Sequence, residues 1–98
     1  MKKANFYSIM RKDGRVQAVL QNGYSDGTYY YYRSAAYPVW HVIQPATGYS
    51  ILTDRSRKKA AERAHAPEMI AAINRKMEMN GAALIAKFDK LTILAEEI

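Results

Sequence analysis

Apolar and polar residues alternate along the first half of the chain and, after Thr53, recur at helical spacing, so a β-rich half precedes an α-helical one. Phe6-Tyr7-Ser8-Ile9-Met10 and Val16-Gln17-Ala18-Val19-Leu20 flank Arg11-Lys12-Asp13-Gly14-Arg15. An Asp-Gly pair supplies the positive φ angles of a tight turn, which predicts a first hairpin. Val16, Ala18 and Leu20 alternate with Arg15, Gln17 and Gln21, so one face of that strand is expected to be buried and the other wet. Asn22-Gly23 and Ser25-Asp26-Gly27 are the next turn signals, and Thr28-Tyr29-Tyr30-Tyr31-Tyr32-Arg33 follows as a third strand. Val39 to Thr53 gives two more strands joined by the Pro45-Ala46-Thr47-Gly48 turn. In the fourth strand Trp40 and Val42 share one face, and Val39, His41 and Ile43 the other. In the fifth, Tyr49 and Ile51 oppose Ser50 and Leu52.

The residue types then change to helix formers. Thr53 or Asp54 is placed to cap a helix running to about Ala64, with Ala60, Ala61 and Ala64 as a narrow stripe against the sheet and Arg55, Lys58, Lys59, Glu62 and Arg63 outward. Pro67 opens a second helix at its first position, where the missing N–H costs nothing, and Met69, Ile70, Ile73 and Met77 form its apolar face. Asn80-Gly81 is a stop signal, after which Leu84, Ile85, Phe88, Leu91, Leu94 and Ile98 recur at the spacing of a third helix. The second and third helices are expected to form an antiparallel pair with more apolar surface than a small sheet needs, which points to a homodimer through the C-terminal helices or to docking on a partner. The predicted fold class is α+β: one domain over residues 1–98, with an N-terminal antiparallel β-sheet of four to five strands (about 5–53) and two to three C-terminal helices (about 55–98).

Bulk properties narrow the function classes. The chain of 98 residues contains no cysteine, which excludes disulfides, thiolate metal sites and a thiol nucleophile. Lys2 and Lys3 are followed by no apolar run of signal-peptide length, and no stretch approaches the roughly 20 apolar residues needed to span a bilayer. A soluble cytoplasmic protein is expected, without membrane contact. The net charge of +6 is uneven. Residues 1–65 hold 11 Lys and Arg against 4 Asp and Glu, and residues 66–98 hold 4 against 5. By charge alone a basic front portion favours an acidic partner, whether nucleic acid, an anionic membrane surface or an acidic protein face.

Tests for catalytic chemistry come out negative at the level of spacing. Neither His41 nor His65 has a carboxylate spaced for an acid–base pair or a metal site, and Ser50 and Ser56 lack a nucleophile-elbow context. No glycine pattern forms a Walker or dinucleotide fingerprint. No enzymatic activity, catalytic residue, metal or cofactor is expected. His65 suits the C-terminal end of the first helix, where the helix dipole favours a cation.

All eight tyrosines lie in the first half, together with most of the positive charge. Alternation places Tyr29 and Tyr31 on one face of the third strand and Tyr30 and Tyr32 on the other. Such rings either cover the sheet, form hot spots of a protein interface, or stack unpaired bases beside phosphate-binding cations. The candidate partner- or nucleic-acid-binding residues are therefore Tyr29, Tyr30, Tyr31, Tyr32, Arg33, Arg55, Arg57, Lys58, Lys59 and Arg63. Arg15, Gln17 and Gln21 have the chemistry to read base edges from a strand. The Ala66–Pro67 bond between helices is also a candidate substrate for a prolyl isomerase.

The small basic cysteine-free chain, the Trp40-His41-Val42-Ile43-Gln44-Pro45-Ala46-Thr47-Gly48 segment, the Arg/Lys helix and the apolar C-terminal helices together resemble small accessory proteins of lambdoid phages that modulate the host RecBCD nuclease. The resemblance covers size, charge and layout. It implies a non-enzymatic protein in the bacterial host cytoplasm that docks on a host DNA-processing nuclease/helicase and alters its activity in recombination. The alternative is a small basic module that contacts DNA or RNA directly through its sheet and basic helix.

Overall fold

The computed structural model describes residues 1–97 and shows an α+β fold: five antiparallel strands, β1 (Lys2–Lys12), β2 (Arg15–Ser25), β3 (Tyr30–Arg33), β4 (Trp40–Ile43) and β5 (Ser50–Asp54), then two helices, α1 (Arg57–Ala64) and α2 (Pro67–Glu96). The sheet is a meander of order β1-β2-β3-β4-β5. Asp13 and Gly14, at φ 52° and 76°, make the turn that the Asp-Gly pair predicts. The hairpin they close is twice the expected length, pairing Lys2 with Ser25 at one end and Lys12 with Arg15 at the other.

Asn22-Gly23 is therefore not a turn but part of β2. A Cβ on Gly23 would lie 2.0 Å from the Tyr31 carbonyl oxygen, so the glycine lets β3 cross close to β2. Only Tyr24 and Ser25 pair with β3, and beyond them the sheet coils. It coils far enough that the Ile9 N–H donates to the Gly48 carbonyl, at 2.8 Å, in the turn between β4 and β5.

Residues opposite each other in an antiparallel ladder share a face, and the two faces of this coiled sheet make two cores. On the outer face Tyr31, Val42 and Leu52 pack with Tyr29 under Ala60 and Ala64 of α1, and Met69 and Ile73 of α2 close the cluster. On the inner face Phe6, Tyr32 and Ile43 pack together, with the Tyr30 ring stacked on Phe6 at 4.5 Å. The expected division of the tyrosines between faces holds. Ser8 and Thr47 are fully buried but satisfied, by the Gln21 amide at 3.2 Å and by the Gln44 side-chain oxygen at 2.9 Å.

The expected third helix does not exist as a separate element. α2 runs through Asn80 and Gly81 without interruption, spanning 30 residues. A glycine costs a helix interior about 1 kcal/mol, and here packing on both sides offsets it. Before Gly81, Ile73 lies on the first core; after it, the Phe88 ring lies so close over Gly48 that a Cβ there would be 2.3 Å from it. Leu91, Leu94 and Ala95 then face Val16, Ala18 and Leu20 of β2 across an open groove. Ala18 is buried as expected, but Leu20, lining that groove, is 57% exposed. Ile98, expected on the apolar face of the last helix, lies outside the described residues. Among the described residues no helix is long and apolar enough to cross a membrane.

Candidate functional site

The start of α1 gathers the cations singled out in the sequence. Asp54, opposite Trp40 at the end of β5, does not cap the helix. Its Oδ1 accepts the Ser56 N–H at 3.0 Å, which turns the chain, and Ser56 is the cap, accepting the Lys59 N–H at 3.2 Å. The other Asp54 oxygen pairs with Arg63, at 3.1 Å, in the last turn of the helix, and the same Arg63 nitrogen donates to the Thr53 carbonyl at 3.0 Å. The Ser56 N–H and the Arg63 guanidinium hold the Asp54 carboxyl below its ordinary value. Arg63 is thereby spent on the fold.

Arg57 is half-buried, and its guanidinium lies 4.5 Å over the Tyr24 ring and 5.4 Å from the Trp40 ring. This cation–π bed ties α1 to β2 and β4 and holds the charge in one place. Arg33 pairs with Trp40 in the ladder, so it emerges on the same face, one strand away. Arg33, Arg55, Lys58 and Lys59 are exposed, and among the described residues the only ion pairs are Arg63 with Asp54 and His65 with Asp26. The first turn of α1 contains no acidic residue. Arg55, Arg57, Lys58 and Lys59 thus crowd the positive end of a helix dipole, with Arg33 on the neighbouring strand, and the Asp54 carboxylate, which feels the charge of Lys59, is the acid beside them.

The tyrosines are placed elsewhere. Tyr29, Tyr31 and Tyr32 are 6%, 0% and 7% exposed, so they are core residues and offer no ring to a base or a partner. This removes three of the four rings from the expected binding surface. The reason is chemical: each phenol body fills a core while its hydroxyl finds a partner. Tyr29 donates to the Ala64 carbonyl at 3.0 Å, and Tyr31 to the Asp26 carboxylate. Tyr30 is half-buried against Phe6, and His41 stacks on Tyr32 at 4.8 Å. Burial lowers the pKa of His41 and raises that of Tyr32. Of the strand residues suited to base reading, Arg15 and Gln17 are exposed, while Gln21 is occupied by Ser8 and Met10.

Asp26, which the sequence offered only as part of a turn, organises the other end of α1. It accepts the Thr28 and Tyr29 N–H groups at 2.9 and 2.8 Å, the Tyr31 hydroxyl, and His65 Nε2 at 2.8 Å. Partial burial pushes its carboxyl up, but these donors outweigh it and hold the group at about 2. Burial and the neighbouring Asp26 charge push both Tyr29 and Tyr31 up. His65 is the C-terminal cap of α1, as its position near the dipole suggested. The cluster is a clamp between the β2–β3 turn and α1, with both Asp26 carboxylate oxygens engaged. Among the described residues no three His, Cys, Asp or Glu side chains gather in a way that could hold a metal.

No protein-family model matches this chain, and comparison with curated proteins and with solved structures returns no match.

Proposed function

We propose that this protein is a binding module that engages a polyanion, in the first place a nucleic-acid phosphate backbone, through the surface around the start of α1. The observation that carries this reading is the inverted charge of that helix. Arg57, Lys58 and Lys59 fill a first turn that has no acidic residue, although a helix N-terminus favours carboxylates by about 0.3–1 kcal/mol each. Fully buried Ala60 and Ala64 pin the helix to the sheet, and the aromatic bed holds Arg57, so the charges are displayed on a fixed surface rather than a flexible tail. With Tyr29, Tyr31 and Tyr32 in the cores, base stacking has little part in this reading. Backbone contact independent of sequence is the mode these residues favour.

Fluorescence anisotropy of the intact chain with labelled single- and double-stranded oligonucleotides over a salt series tests the proposal. Affinity is expected to fall steeply with salt, and reversing Arg55, Lys58 and Lys59 is expected to flatten the log–log slope by about one per contacted phosphate on duplex DNA. Binding that ignores salt, or no binding at low salt, contradicts it.

A second reading, docking on a RecBCD-like host nuclease/helicase, is favoured by a different feature. An open groove of about 670 Å³ lies between the β1–β2 hairpin and the end of α2, with Leu20 and Leu94 57% and 51% exposed in it and Lys12 and Arg15 at its rim. An interface centred on those leucines would survive raised salt. A purified nuclease complex of that type retained by the chain at high salt, with Leu20→Asp and Leu94→Asp abolishing retention, is the outcome this reading expects.

A further inference from the structure

α2 carries one apolar stripe, which faces the sheet, and opposite it an outward row that mixes alanine, two large apolar residues and charges. Met69, Ile73, Met77, Gly81, Leu84, Phe88, Leu91 and Ala95 turn toward the body of the protein and are buried or half-buried. On the far side, at alternating steps of three and four, stand Ala72, Arg75, Met79, Ala82, Ala86, Asp89, Ile93 and Glu96, all exposed. Met79 is 77% exposed and Ile93 56%, the largest apolar exposures on the helix. A row at heptad spacing on an outward face can seat a second helix, and alanines at its middle let a second backbone come close.

We propose that this outward face of α2 pairs with the same face of a second copy, antiparallel, about a two-fold axis through Ala82. Charge placement selects this occupant and this direction. Arg75 precedes Ala82 by seven residues and Asp89 follows it by seven, so each lies about 10.5 Å from the axis on opposite sides along nearly the same line. A two-fold axis at Ala82 sets each Arg75 against Asp89 of the second copy. Ile93 then falls on Ala71 of the second copy. A parallel pair would oppose Arg75 to Arg75 and Asp89 to Asp89. Glu68 and Glu96 meet only at the far ends, where helices crossing at about 20° have diverged. This pairing does not involve α1, so it stands or falls separately from polyanion binding.

Sedimentation velocity on the intact chain over concentrations from about 10 to about 500 µM reads the association directly, since one helix pair buries less than a standard interface. The wild type is expected to shift from monomer to dimer within that range. Arg75→Asp and Asp89→Arg, each folded by circular dichroism, are each expected to abolish the dimer, and the two together to restore it. The absence of native cysteine allows a second readout: Ala82→Cys cross-links on mild oxidation, while Asn80→Cys, on the other flank of the helix, does not. A monomer at every concentration, a dimer unaffected by either single reversal, or equal cross-linking at both positions overturns the proposal.

Discussion

α1 and α2 solve the same problem, holding a helix on a coiled sheet, in opposite ways. α2 follows the local rules: proline at its first position, Glu68 in its first turn, and 30 residues of length. It holds on through large side chains at wide intervals, from Met69 and Ile73 near its start to Phe88 against Gly48. α1 has eight residues, a cationic first turn, and two small side chains as its anchors. Alone it would be too short to form in water. Its order is borrowed from the Ser56 cap, the Asp54–Arg63 pair, the aromatic bed under Arg57 and the Asp26 clamp at its end. A helix supported from so many directions tolerates unfavourable charge at its start. Positions where local preference is overridden are the ones to suspect of function.

The comparison breaks most readily at the anchors. Ala60→Leu has no space to enter, and overpacking there is expected to cost about 3 kcal/mol, displacing α1 while leaving the β1–β2 hairpin paired. Denaturant unfolding measures the loss; a change below 1 kcal/mol would mean that α1 is not seated by its alanines.

A smaller effect separates the clamp from the anchor. The Asp26 side chain is 16% exposed and its carboxyl is held at about 2 against 3.8 when free. A depressed acid stabilises fully above its free value and loses that contribution as pH falls through the folded value. The wild type is therefore expected to lose about 2 kcal/mol from this group between pH 5 and pH 1, and Asp26→Asn to show a flatter acid limb on a lower plateau. Parallel acid limbs in stability measured across that window would count against the clamp.

The smallest effect concerns α2. Gly81→Ala meets the Met77 side chain, its methyl at 3.1 Å and its Cβ at an ordinary contact of 3.4 Å, and removes a helix-interior glycine. It is expected to stabilise by about 0.5 kcal/mol, seen as a raised Tm. A loss instead would show that close approach at Gly81, and not continuity of the helix, decides the position.

Much of this architecture was legible in the chain. The Asp13-Gly14 turn, the alanine stripe of α1 and the division of Tyr29 and Tyr31 from Tyr30 and Tyr32 follow from turn chemistry and periodicity alone. Asn22-Gly23 and Asn80-Gly81 misled for one reason. Glycine reads as a chain reversal from sequence, but Gly23 instead admits the close Tyr31 carbonyl, and Gly81 lies inside a helix that packing on both sides keeps continuous. The Ser56 cap was missed because pairing with Trp40 carries β5 as far as Asp54. Tyrosine burial was hidden by the residue itself, which suits a core and a surface equally until its hydroxyl partner is known. For the candidate site, the exposed cations were legible as a group, but the loss of Arg63 to Asp54 and the seating of Arg57 on two rings depend on contacts across distant sequence.

The central claim is that the start of α1 gives up stability in favour of charge. It is tested most directly by measuring Tm and oligonucleotide affinity together on the variant carrying Lys58→Glu and Lys59→Glu. Acids in the first turn are expected to stabilise the fold by about 0.5 kcal/mol while affinity at low salt falls at least tenfold. Unchanged affinity in a variant at least as stable as the wild type would contradict the account.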